Sequence, residues 1–115
     1  VYVSGTYVLP ASAASGVQPE VWTAAGVTAE AASALATVNV VLDDVAVVSS
    51  SNLIHQSALT PGQYYYVSNV AGKLTTSTAP SGITVSGGYG AMTVVGLALS
   101  PSELHVEIGS PVTLT

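Results

Sequence analysis

The most regular alternation of apolar and polar positions lies near the C-terminal end. Leu104, Val106 and Ile108 fall on one side of an extended chain, and Glu103, His105 and Glu107 on the other. A period of two is that of a half-buried β-strand. In the preceding run Val95, Leu97 and Leu99 alternate with Val94, Gly96 and Ala98. The second face there is small rather than polar, so a close-packed neighbour is expected over it. Upstream, VNVVL and VAVVSS flank Asp43-Asp44, a candidate tight turn. Asp-Gly would make that turn more readily, because glycine accepts the positive φ of the hairpin types. Pro61-Gly62 is a strong turn, with proline setting φ and glycine following it. Tyr64 to Ser68 then reads as a strand, and Ala71-Gly72 returns the chain along Lys73-Leu74-Thr75-Thr76 as a hairpin. Val1 to Leu9 reads as a strand pair or bent strand around Gly5, stopped by Pro10.

Between these β-like ends, Ala11 to Thr37 is alanine-rich and punctuated by Gly16, Pro19 and Gly26. It holds one helix candidate, TAEAASALAT, with Thr28 as N-cap and Glu30 in the first turn, where the helix dipole favours an anion. Short strands spaced roughly ten residues apart and joined by Gly/Pro turns indicate a mainly β chain. The expected fold is an antiparallel β-sandwich or barrel-like domain with at most one short helix. Its 115 residues suffice for one domain. Residues 1–37 form an alanine-rich N-terminal part suited to an arm or contact region, and residues 38–115 form the β core.

Composition changes the picture in one respect. Charged residues make up only 6% of the chain while hydrophobic ones make up 49%. A surface so poor in charge suits contact with other subunits, since little charge must be desolvated when surfaces meet. The net charge is −5, with Lys73 the single cation. Nucleic-acid binding needs several cations to release counterions from phosphates, so it is set aside, and an anionic membrane surface is disfavoured on the same ground. With no cysteine there is no disulfide, thiolate or zinc–sulfur chemistry. No apolar run reaches the roughly 18–20 residues of a membrane-spanning helix. A start at Val1 without a signal-like segment is what a processed product or a piece of a longer chain would show.

Candidate chemistry is sparse. His55 and His105 are the only histidines and have no metal-ligand spacing, so neither a metal nor any other cofactor is expected. Serine, histidine and acid types are present, but no GxSxG elbow is. Asp43 and Asp44, being adjacent, would face opposite ways on a strand and cannot act as a glycosidase pair. The Gly-rich run Ser86 to Gly90 lacks the lysine and helix of a phosphate loop. The chain is therefore read as non-enzymatic. Three consecutive tyrosines, Tyr64, Tyr65 and Tyr66, cannot form one flat platform on a regular strand, because Tyr65 faces opposite to its neighbours. Tyr64 and Tyr66 are expected on the buried face because it would then carry two rings, leaving Tyr65 at a surface. Trp22, Tyr65 and Tyr89 are the candidate interaction surface, for a subunit or a sugar ring, although a lone tryptophan is more commonly a packing anchor.

Residues 59–68, LTPGQYYYVS, resemble the "LTPGxxYYLS" segment of a small β-domain of tailed-bacteriophage structural proteins, notably tail fibres and head or tail attachments. Further pieces follow in the same order: Gly72-Lys73-Leu74-Thr75-Thr76 is similar to "GxLTT", Ala79-Pro80-Ser81-Gly82 comes next, and Val94 to Ser100 is similar to "VVGxALS". Glu103 to Gly109 then resembles the closing strand, so the likeness covers about residues 59 to 111. It implies a virion component, such as a fibre, tail or capsid-decorating protein, that assembles as a homotrimer with itself and with other virion proteins. A tip domain that binds a host glycan or receptor is the alternative.

Overall fold

The computed structural model describes residues 1–14, 18–29, 36–54, 56–76 and 91–113. Its centre is a five-stranded antiparallel sheet built from β5 (Val45–Val47), β6 (Tyr64–Val67), β7 (Leu74–Thr76), β9 (Val94–Ala98) and β10 (Glu103–Val106), in the order β5-β10-β9-β6-β7. Three two-stranded pairs accompany it. β1 (Tyr2–Ser4) pairs with β2 (Tyr7–Leu9), β3 (Val27–Thr28) with β4 (Val40–Val41), and β8 (Ala91–Met92) with β11 (Val112–Thr113). All of these pairings are antiparallel, and the chain is mainly β as expected.

The turns sit where glycine and proline place them. Gly5, Gly62 and Gly72 have φ of 61°, 85° and 77°, the left-handed region open to glycine at little cost. Gly72 closes the β6–β7 hairpin in the register Tyr65–Thr76, Tyr66–Thr75 and Val67–Leu74. Strand β10 has the faces its alternation requires, with Leu104 and Val106 buried and Glu103 exposed.

One expectation is corrected. Asp43-Asp44 does not close a hairpin: β4 pairs with β3 while β5 pairs with β10, so the two acids mark the crossing from one sheet to another. The missing glycine explains this, since neither aspartate readily takes the two positive φ values of a type I′ turn. Of the helix candidate, Thr28 lies in β3, and most of the remaining segment falls outside the described residues. Among the described residues the one α-helical turn, α1, is Pro19–Trp22, opened by proline in its first turn where no N–H is needed. Part of the alanine-rich stretch packs on the sheet. Ala11, Ala13 and Ala24 join Val48, Leu53, Leu59, Tyr65, Val67, Val95, Ala98 and Leu104 in one core cluster on the inner face of the sheet. Alanine suits that layer, because a small side chain lets one backbone run close over a sheet.

Strand β9 carries the irregularity that shapes this core. It pairs with β6 through Tyr65–Gly96 and then Tyr66–Val94, so Val95 is an extra, bulged residue. The bulge turns Val95 inward, and it is buried with Gly96 and Ala98 rather than sharing a face with Leu97 and Leu99. A Cβ at Gly96 would lie 2.2 Å from the His105 carbonyl oxygen, so β9 and β10 approach here only because the residue is glycine.

Candidate functional site on the outward face of the sheet

The tyrosine triplet has the opposite polarity to the one expected. Tyr65 is 0% exposed, whereas Tyr64 is 48% exposed and Tyr66 is partly so. Alternation correctly separates Tyr65 from its neighbours, but the core lies on the Tyr65 side, shared with Val67 and opposite Gly96. The buried hydroxyl is satisfied at both ends: the Thr60 N–H donates to it at 2.8 Å, and it donates to Gln56 Oε1. Tyr65 is therefore a core residue and is withdrawn from the interaction surface.

Trp22 is partly buried and its Nε1–H donates to the Ala14 carbonyl at 2.9 Å. The buried Thr93 hydroxyl donates to the Trp22 carbonyl at 2.7 Å, fixing the end of α1 beside β9. This is a packing anchor rather than a sugar platform. Tyr89 lies outside the described residues, as does His55. Of the expected surface aromatics, the two that are described, Trp22 and Tyr65, are not exposed rings.

What the sheet does present outward is a continuous set of β5, β10, β9 and β6 side chains. Cross-strand pairing lines up Val45, His105, Leu97 and Tyr64 in one row. A flanking row sets Val47 beside Glu103, and on the other side Tyr66 lies opposite Val94 and Thr75. Val47 is 73% exposed and Val45 39%, and Leu99 at the end of β9 is also exposed. Beside this strip, Tyr64, Tyr66, Met92, Val94, Ser110 and Val112 line a shallow groove of about 330 Å³ with no charged group. Tyr64 and Tyr66 are two residues apart on one strand face, so both rings border the groove.

Charge on this face is confined to the β10 side. His105 Nδ1 lies 3.6 Å from Glu107 Oε1, both side chains well exposed, an ion pair only when the histidine is protonated. A pair so exposed contributes little to stability. Among the described residues no group of three His, Asp or Glu side chains is placed to hold a metal ion. The larger cavity, about 970 Å³, lies between β2, β3 and the inner face. It is lined mainly by valine, alanine and leucine, with Lys73 at its edge tied to the Ser51 carbonyl. Neither hollow brings together an acid, a base and a nucleophile. No helix among the described residues is long and apolar enough to cross a membrane.

No protein-family model matches the chain, and no curated protein or solved structure is significantly similar to it.

Proposed function

We propose that this chain is a non-enzymatic structural component of a tailed-phage virion, a fibre, tail or capsid-decorating protein, that acts by assembling with copies of itself and with other virion proteins. The observation that carries the reading is the outward face of the five-stranded sheet. Val45, Val47, Tyr64 and Leu99 stand exposed there, in a chain only 6% of whose residues are charged. Apolar area of this kind, grouped on one face, marks an interaction site rather than an ordinary solvated surface. The resemblance of residues 59 to 111 to the phage β-domain supports the same conclusion and favours a homotrimer. Light scattering over a concentration series tests it: the expected result is an oligomer, and a particle of 11.4 kDa at every concentration would count against it.

A second reading has its own observation, the groove bordered by Tyr64 and Tyr66. Two rings on one strand, Tyr64 exposed and Tyr66 partly so, beside apolar Met92 and Val94 suit the flat face of a pyranose, as in a host-glycan-binding tip. A glycan array decides between them. Saturable binding that Tyr64→Ala or Tyr66→Ala abolishes would favour the tip, and absence of binding would favour assembly alone.

A further inference from the structure

The two edges of the five-stranded sheet are treated differently. At β7 the edge is covered: Leu53 forms a parallel bridge with Leu74, and the Ile54 N–H donates to the Leu74 carbonyl at 3.0 Å. At β5, no described segment pairs with the edge. Toward β10, the Val106 N–H donates to the Asp44 carbonyl and the Val48 N–H to the Ser102 carbonyl, both at 2.9 Å. Antiparallel alternation then points the backbone groups of Val45 and Val47 away from the sheet. The Val45 N–H is capped by Asp44 Oδ1 at 2.7 Å. Among the described residues the Val45 carbonyl and both backbone groups of Val47 have no partner. The strand carries no lysine, proline or bulge to blunt it, the devices that commonly protect an edge. Its inner side chains, Ala46 and Val48, are already buried, so what remains open is backbone and the two outward valines.

We infer that β5 is a strand-pairing interface, and that its occupant is β5 of a second copy, antiparallel about a two-fold axis through Ala46. The edge is its own complement. In that register Val45 lies opposite the partner copy's Val47 in a hydrogen-bonding pair, so each Val47 N–H meets a Val45 carbonyl. Each Val45 N–H exchanges its Asp44 carboxylate for a Val47 carbonyl, giving four bonds in all. Outward Val45 and Val47 form two cross-strand valine pairs on the face already apolar, continuing the row from Tyr64 across the axis. Asp44 falls opposite Val48, about 14 Å along the strand from its symmetry mate at ~3.4 Å per residue. That exceeds a Debye length of roughly 10 Å at 0.1 M salt, so the acids tolerate this register. Ser49 remains extended (φ −90°, ψ 161°), which leaves the edge straight beyond Val48. So short an edge buries less than the ~1,200 Å² of a stable specific interface, so it acts as a reinforcing contact at high local concentration. If the sheet face forms a trimer, β5 links trimers in pairs.

This inference rests on the assembly reading, and the test separates the two. Sedimentation equilibrium across micromolar to millimolar concentrations is run on the wild type, Val47→Pro and Asp44→Ala, with circular dichroism to confirm folding. Proline removes a donor that faces solvent in the single chain, so folding tolerates it; Val47→Lys serves if it does not. The expected result is a concentration-dependent doubling of mass, weakened more than tenfold by Val47→Pro and tightened severalfold by Asp44→Ala, which frees the Val45 N–H and removes a charge. Val47 amide exchange slows in step with the doubling. An oligomer unchanged by Val47→Pro, with Val47 exchanging freely, overturns the edge while leaving assembly intact. A wild type that stays monomeric throughout removes both.

Discussion

Replacing Tyr65 tests the packing of the whole sheet, because its ring occupies the core face opposite Gly96 and its hydroxyl ties down the loop before β6. Tyr65→Ala removes a fully buried aromatic, and deletions of that size cost about 3–5 kcal/mol. The upper half of that range is expected, since Ala98, Val95 and Leu104 around it are small or already in contact and cannot collapse far into the space. At this chain length each kcal/mol corresponds to about 4 °C in melting temperature, so the variant should melt about 15–20 °C lower. Tyr65→Phe keeps the ring but strands the Thr60 N–H and Gln56 Oε1. Thr60 is exposed and water can reach it, so the cost falls to about 1–2 kcal/mol. Tyr64→Ala, on the outward face, should change stability by about 0.5 kcal/mol or less, as surface substitutions do. Thermal melts followed by circular dichroism, in dilute solution where association is absent, give all three values. A Tyr64→Ala variant as destabilised as Tyr65→Ala would refute the face assignment.

Further outcomes follow from the same geometry. Gly96→Ala should cost about 3 kcal/mol or more by denaturant titration, at the top of the overpacking range, because its Cβ meets the His105 backbone oxygen rather than a side chain that can turn aside. Gly109→Ala should be milder, because the obstacle there is the Val94 Cγ1 methyl, and equal costs would contradict the close approach of β9 to β10. Thr93→Val, which leaves the Trp22 carbonyl without its donor, should cost about 1–2 kcal/mol in the same titration, and a neutral result would remove the anchoring role of that bond. With Lys73 as the sole cation, a DNA mobility assay at low salt should show no retardation; a salt-sensitive shift would overturn the charge argument.

The chain announces its turns and its β character more clearly than its inside and outside. Gly5, Pro61-Gly62 and Ala71-Gly72 were legible because each demands a backbone conformation few other residues supply. Strand β10 was legible because its two faces differ in polarity. The tyrosine face was not, since alternation fixes which residues are together and leaves open which side is buried. Two small residues on β9, Gly96 and Ala98, held the missing information. A face of small side chains must be covered by something large, and Tyr65 with Val67 was the set able to cover it. The Val95 bulge hid that pairing by breaking the alternation of β9 in mid-strand. Strand β5 showed a different limit: VNVVL-DD-VAVV looks like a hairpin locally, and only tertiary pairing sends its halves to separate sheets. Trp22 gave a lone aromatic without its context, and its role followed from two partners, the Ala14 carbonyl and the Thr93 hydroxyl.

Where the few charges lie bears on how an apolar surface stays selective. Asp43, Asp44, Glu103 and Glu107, four of the six acids, belong to the segments around β5 and β10, where the sheet is open. Acids beside an exposed edge commonly act as gatekeepers, opposing strand addition by other chains. Here they also discriminate between registers. Sliding the two β5 strands by two residues in one direction brings the aspartate pairs closer together, and in the other sets Val45 opposite Ser49, whose carbonyl already accepts from the Asn52 N–H. The register centred on Ala46 alone keeps both outward valines paired and the acids a Debye length apart. Selectivity then comes from what the wrong contacts cost rather than from additional attraction in the right one. A chain with one lysine has no positive patch with which to steer a partner, so repulsion between misplaced acids is the electrostatic device open to it.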